Sequence, residues 1–179
     1  MPPQLRQLNV SYVDVQDRLF LKVSTSEDQE YRVWCTRRFT RLLLDRMEES
    51  FEKEMFDKPQ QAQAVKPAAV PEQARREVAQ MQHKQAVKEE SFQQDYDAEP
   101  VEYPLGEEGL LVTTLKFKNL DDGSVALHLG DNKGKGLSLN LNDELKHQLY
   151  ELFSRASERA DWFSGPAAAA ATAGAAVVH

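Results

Sequence analysis

The chain is short of cysteine, of long apolar runs and of uncompensated positive charge, and each shortage removes a class of protein. Cys35 is the only cysteine among 179 residues. No internal disulfide can form, and no thiolate cage can hold a metal. No apolar run reaches the roughly 18 residues of a membrane-spanning helix, and no charged-then-apolar leader is visible. The formal net charge is −7, and it is unevenly spread. Residues 1–58 carry −1, residues 59–108 carry −5 and residues 109–179 carry −1. No segment is the basic block of a duplex-DNA binder, although these totals still allow a local basic patch. The expectation is a soluble protein of the reducing cytoplasm without membrane contact.

Hydrophobic residues make up 41% of the chain and concentrate at its two ends. Each end alone spans about fifty residues, near the lower limit for independent folding, so the two are expected to share a core. At the first end Leu8, Val10 and Tyr12 alternate with Asn9 and Ser11, the period of a half-buried strand. Asp14 to Asp17 form a polar turn, with Val15 the exception. Leu19, Leu21 and Val23 alternate with Phe20 and Lys22, and Ser24 to Gln29 read as a polar loop. Tyr31, Val33 and Cys35 then alternate with Glu30, Arg32 and Trp34. Thr36 can cap a helix whose stripe is Phe39, Leu43, Met47, Phe51 and Met55, widened by Leu42. The order is β-β-β-α, with connections short enough for an antiparallel meander.

The same order returns from Gly109. Leu111, Leu115 and Phe117 alternate with Val112, Thr114, Lys116 and Lys118 as one first strand. Asp121-Asp122-Gly123 marks a hairpin, Val125, Leu127 and Leu129 follow, and GDNKGKG leads to Leu137, Leu139 and Leu141. Asn142 caps a helix striped by Leu145, Leu149, Leu152, Phe153 and Ala156. An offset of 106 residues carries Leu19, Leu21 and Val23 onto Val125, Leu127 and Leu129. It also carries Tyr31, Val33, Cys35, Thr36, Phe39, Leu43 and Met47 onto Leu137, Leu139, Leu141, Asn142, Leu145, Leu149 and Phe153. The expected fold is α+β. Two β-β-β-α units, an internal repeat, form a pseudo-symmetric domain of antiparallel sheets with helices on one face. Unit one is 1–57 and unit two is 109–164.

Between them, residues 58–108 read as an acidic, partly helical linker. Pro59, Pro67 and Pro71 interrupt it. Glu72 to Gln94 are helix formers with few apolar residues, Val78, Met81, Val87 and Phe92, which suits a charged helix lying loosely on the surface. Asp95 to Glu108 carry six acids with Pro100 and Pro104, a composition poorly suited to packing. Residues 165–179 are Ala-rich and read as a disordered tail.

The strongest chemical constellation lies opposite the buried alternation of the first unit. Arg18, Phe20 and Lys22 share that face with Arg32 and Trp34, and Arg37, Arg38 and Arg41 follow in the first helical turns. Aromatic rings among cations suit single-stranded nucleic acid, with bases stacking on rings and Arg and Lys meeting phosphates. A helix start can add anion-binding N–H groups. The competing reading makes Phe20 and Trp34 core between the units, and pairs the arginines with Glu30, Asp45, Glu48 and Glu49. The second unit has Ala126, His128, Ser138 and Asn140 in place of the aromatics and cations. Exposure of Phe20 and Trp34 decides between the two.

Other motifs carry less. GDNKGKG lacks the Gly-Lys-Ser/Thr ending of a phosphate loop and joins strand to strand, so it reads as a hairpin turn. His83, His128, His147 and His179 show no metal-ligand spacing. His128 is expected to point outward from its strand and His147 to lie on the polar side of its helix. Cys35 alternates with buried neighbours as a small core residue. No catalytic residue, metal or cofactor is expected. The arrangement is similar in outline to single-strand-binding folds of the Whirly and PUR-repeat kind, whose units are sheets followed by a helix. That likeness is one of topology and rests on no sequence motif. The expected function is a non-enzymatic binding or assembly module with a protein partner, or self-associating as a homodimer through leftover strand edges. The alternative is single-stranded nucleic-acid binding through the basic and aromatic sheet face.

Overall fold

The computed structural model describes residues 4–57, 99–100 and 102–163, with isolated positions between 71 and 81. The expectations for most of the linker and for the Ala-rich tail lie outside the described residues. Strands β1 (Leu5–Val13), β2 (Arg18–Thr25) and β3 (Glu30–Cys35) form an antiparallel meander that runs into helix α1 (Arg37–Asp57). Between β1 and β2 the chain makes a short 3₁₀ turn over Asp14–Gln16 and leaves it through Asp17 at φ 49°. Val15 is tolerated there because it projects into solvent, 91% exposed. The loop expected at Ser24 to Gln29 is shorter than composition suggests. β2 continues through Ser24 and Thr25, both buried, and Thr25 N–H donates to the Gln29 carbonyl at 3.0 Å. Two small hydroxyl residues fit inside a strand when the backbone finds its ladder partners.

α1 starts where Thr36 Oγ1 accepts a hydrogen bond from Phe39 N–H at 3.2 Å, a side-chain cap of one otherwise orphaned donor. Phe39, Leu43, Met47 and Phe51 are buried as the stripe requires. Leu42 is a correction: it is 45% exposed, and Leu44 widens the stripe on the other flank instead.

The second half departs from the first at its opening strand. What alternation suggests is one strand is two. β4 (Leu110–Leu111) pairs in parallel with β3, opposite Val33 and Trp34, and makes the first sheet four-stranded in the order β1-β2-β3-β4. β5 (Thr114–Asn119), β6 (Val125–Gly130) and β7 (Gly136–Leu141) form a separate antiparallel sheet. The handover occurs across two residues: Val112 N–H donates to the Trp34 carbonyl at 3.0 Å, and Thr113 N–H donates to the Gly130 carbonyl at 2.8 Å. Leu111 and Val112 are a correction: Val112 is buried and Leu111 is 36% exposed, the reverse of the expected alternation, so the inward phase changes where the backbone changes sheet.

GDNKGKG is a hairpin, as expected. Asp131 Oδ1 accepts from the N–H groups of Lys133 and Lys135, each at 2.9 Å. Gly136 opposes Gly130 at its base, and a Cβ there would lie 2.4 Å from the Leu129 carbonyl oxygen. Helix α2 (Asp143–Arg159) follows, capped by Asn142 Oδ1 accepting from Leu145 N–H at 2.9 Å.

The architecture is thus α+β, with two antiparallel sheets, one extended by a short parallel strand, and two helices. The helices are shared between the sheets. α1 contacts β2 and also β5, while α2 contacts β7 and also β1 and β2, and the helices touch each other. One continuous core results, containing Leu19, Leu21 and Val33 from the first half and Leu127, Leu139 and Phe153 from the second. Among the described residues no helix is long and apolar enough to cross a membrane.

Because α2 meets both sheets and α1, its buried arc is wider than its apolar stripe. Lys146 is fully buried and His147 is 9% exposed, so His147 does not lie on a polar face. His147 stacks on Phe51, with centroids 4.3 Å apart and planes within 2°. The Lys146 ammonium pairs with Glu54 of α1 and lies 3.4 Å from Asp143. Removing one partner of a buried ion pair strands the other charge, whereas replacing both by apolar groups often costs nothing. Glu54→Ala is therefore expected to destabilise the fold by about 2–3 kcal/mol, at the low end because Glu54 keeps some solvent contact. Glu54→Leu combined with Lys146→Met should recover most of that loss, read as the midpoint of urea denaturation at unchanged slope.

Candidate binding face

Antiparallel pairing sets the outer face of the first sheet. Phe20 lies opposite Trp34 and Lys22 opposite Arg32, while Leu19, Leu21, Val23, Val33 and Cys35 turn inward and are buried. The Phe20 and Trp34 rings are 4.2 Å apart, centroid to centroid, at 33°. The Lys22 ammonium stands 5.8 Å from the Phe20 ring, within reach of a cation–π attraction. Arg18, Phe20, Lys22, Arg32 and Trp34 are all half-buried. The aromatic pair is neither core nor openly exposed.

The reason is a strap that composition assigns to loose linker. Residues 102–109 run along the β3 edge and pack on it. Glu30 N–H donates to the Glu102 carbonyl at 2.9 Å, and Gln29 Nε2 donates to Glu102 Oε2 at 2.8 Å. Leu105 is buried. Trp34 Nε1 donates to the Glu108 carbonyl at 2.7 Å. Gly109, at φ +82°, passes so close that a Cβ would sit 3.1 Å from both Phe20 Cε2 and the Arg32 carbonyl oxygen. Two acidic residues thus reach the face through their backbone carbonyls.

Arg32 is committed to this strap. Its Nε donates to Glu30 Oε1 at 2.5 Å, and its Nη1 donates to the Glu107 carbonyl at 2.7 Å. Its guanidinium lies 4.3 Å from the Tyr103 ring centroid. Partial burial disfavours the Arg32 charge, but the hydrogen bond and charge of Glu30 outweigh it and raise its pKa. Glu30 itself is 1% exposed, so Arg32 neutralises a buried carboxylate.

The helical arginines divide differently. Arg37 donates to the Trp162 carbonyl. Its guanidinium and that of Arg41 lie 5.9 and 5.4 Å from the Phe163 ring. Both hold the turn that follows α2. That turn is anchored again at the β1–β2 connection, where Asp17 Oδ1 accepts from Trp162 Nε1 at 2.8 Å and from Tyr12 Oη of β1 at 3.1 Å. Arg38 is exposed on the first turn of α1. Of the eight candidate residues, Arg18, Phe20, Lys22, Arg32 and Trp34 share one face. Arg37 and Arg41 belong to a second cluster.

Sequence reasoning did not find Tyr103, Gly109 or Trp162 as parts of these clusters. The aromatic Tyr103 beside Pro104 and the glycine after Glu107-Glu108 were the available signals, and acidic composition outweighed them.

Cys35 is sealed in the core, and burial alone pushes its thiol well above its ordinary 9.0. Tyr150 is raised above 10.0 by burial first and then by its hydrogen bond to Glu48 and that residue's charge. Both groups stay protonated in the folded state at pH values where the unfolded chain ionises. The unfolded state then binds fewer protons, so stability is full below about pH 9 and falls as pH rises beyond it. The expected slope approaches about 1.4 kcal/mol per pH unit for each group. Denaturation midpoints between pH 8 and 11 check this, and Tyr150→Phe should remove the steeper limb above pH 10.

A side chain at position 109 should displace the strap. Gly109→Ala combines a positive φ with a tight contact and is expected to cost about 1–2 kcal/mol. In a Trp162→Phe background, where Trp34 is the remaining tryptophan, the same change should red-shift emission and raise acrylamide quenching. Unchanged emission would mean that the strap does not shield the indole. No family model, curated protein or solved structure matches the chain.

Proposed function

We propose that the chain is a non-enzymatic binding and assembly module. It acts through the outer face of its first sheet on a protein partner, a second copy of the chain included. The observation that carries this reading is the Phe20–Trp34 pair. Two large rings are held in contact, half-open, with Lys22 above Phe20 and Arg18 on the same strand. Aromatic residues with fixed rotamers beside cations make low-entropy recognition surfaces.

The same proposal takes the two β-β-β-α units, 1–57 and 109–164, as an internal repeat with pseudo-twofold symmetry, joined by 58–108. Several agreements support it. The 106-residue offset carries β3, Glu30–Cys35, onto β7, Gly136–Leu141, and the first residue of α1 onto that of α2. The caps at Thr36 and Asn142 bond the N–H three residues onward in both helices. A single buried thiol suits the reducing cytoplasm.

Single-stranded nucleic acid is the second reading, favoured by the partial exposure of the same ring pair. Quantitative affinity capture with the wild-type chain and with Arg18→Glu/Lys22→Glu tests the first. A partner protein whose recovery falls at least tenfold with the variant, and which rebinds when purified, is expected. Capture insensitive to the variant, together with turnover in an activity screen, would overturn it. Fluorescence anisotropy with labelled oligonucleotides at two salt concentrations tests the second, and binding that ignores salt and Trp34→Ala removes it.

A further inference from the structure

A second surface lies along β5. β5 is an edge of the second sheet, and among the described residues no strand pairs with its outer side. The bonding pattern shows which groups are left there. Asp131 N–H donates to the Lys135 carbonyl at 2.8 Å, so the odd residues of β6 bond to β7 and its even residues bond to β5. Leu120 N–H donates to the Ser124 carbonyl at 2.8 Å, in the same register. The N–H and C=O groups of Leu115, Phe117 and Asn119 therefore point to the open edge.

That edge borders a groove of about 480 Å³ against α1, lined among others by Leu42, Arg46, Lys53, Leu115, Lys116 and Phe117. Leu42 is the apolar residue that α1 leaves 45% exposed. The Ser50 hydroxyl closes one end by donating to Asn119 Oδ1 at 2.7 Å. The surface is basic. Arg46 pairs with Glu49 at 2.9 Å, whereas among the described residues no ion pair involves Lys53, Lys116 or Lys118, all three exposed.

We propose that the β5 edge accepts an extended acidic segment of a partner protein as an added strand. Its alternate Asp or Glu residues meet Lys116 and Lys118, and its intervening apolar residues meet Leu115, Phe117 and Leu42. Strand addition supplies main-chain hydrogen bonds for affinity and period-two side-chain contacts for specificity. Edge lysines ordinarily discourage pairing, and here they select among partners. A second copy added through its own β5 would bring Lys116 and Lys118 alongside the same lysines, which is repulsive. A nucleic acid can answer the charge but offers no peptide ladder.

The probe is a fluorescein-labelled heptapeptide of alternating Glu and Val. Saturable binding is expected, weakened at least tenfold by Lys116→Glu/Lys118→Glu and unaffected by Arg18→Glu/Lys22→Glu. Two further peptides, N-methylated on opposite sets of alternate amides, should separate: one loses at least tenfold in affinity and the other keeps it. Amide resonances of Leu115, Phe117 and Asn119 should shift on titration. No saturation, equal binding of both methylated peptides, or displacement by an oligonucleotide of equal charge would overturn the inference. The methylation arm uses the unaltered protein, so it decides the matter even where the charge-reversed variant folds poorly.

Discussion

Everything in this fold rests on the sharing of two helices between two sheets. A three-stranded sheet with a single helix cannot cover its own apolar face, and each half of the chain holds little more than that. The remedy is crossed contact. α2 packs on β1 and β2 besides its own β7, and α1 packs on β5 besides its own β2. Leu21 and Leu127, from different halves, thus lie in one core. Neither half can lose its helix without opening the other's sheet. A crossed arrangement also explains why α2 buries polar residues. A helix pressed from three sides has no solvent side for Lys146 and His147, so Glu54, Asp143 and Phe51 provide their partners.

The strap sets the chemistry of the first sheet in the same way. An exposed β3 edge would be an invitation to pairing, and β4 together with residues 102–109 closes it. The cost is that the donors most suited to an external anion are already used. Arg32 satisfies Glu30 and the Glu107 carbonyl, and the indole N–H of Trp34 is taken by Glu108. What the face presents besides is the half-buried ring surface of Phe20 and Trp34. On the proposed reading, a partner would meet rings and apolar contact there before bidentate arginine chemistry.

Most of the strands and both helix starts were legible because they obey short-range rules. Leu19, Leu21 and Val23 alternate, Thr36 and Asn142 are capping residues at the correct spacing, and Asp122-Gly123 makes the hairpin it announces. The illegible parts depend on partners distant in the chain. Leu111, Leu115 and Phe117 alternate in the sequence, yet Leu111 is exposed and Val112 buried, because Val112 and Thr113 bond to different sheets. Leu42 and Leu44 are equivalent as sequence, and the neighbours of α1 decide which is covered. The strap was hidden by its composition. Acidic residues are poor core formers, but Glu102, Glu107 and Glu108 contribute carbonyl oxygens, which every residue has.

The two candidate surfaces divide along the difference between the halves. Under the 106-residue offset, Phe20, Lys22, Arg32 and Trp34 correspond to Ala126, His128, Ser138 and Asn140, which lack the rings and guanidinium that the strap meets on the first sheet. His128 and Ser138 instead bond each other across the strands at 2.9 Å. Residues 102–109 cover the edge of the sheet that bears rings and cations, and among the described residues no strand covers the outer side of β5, where Lys116 and Lys118 stand. A closed edge with an aromatic face favours contact through side chains. An open edge with lysines favours contact through the backbone. If the halves are the proposed repeat, the difference at these positions, over inward-facing residues of one chemical class, is what the two proposed surfaces on a common core require.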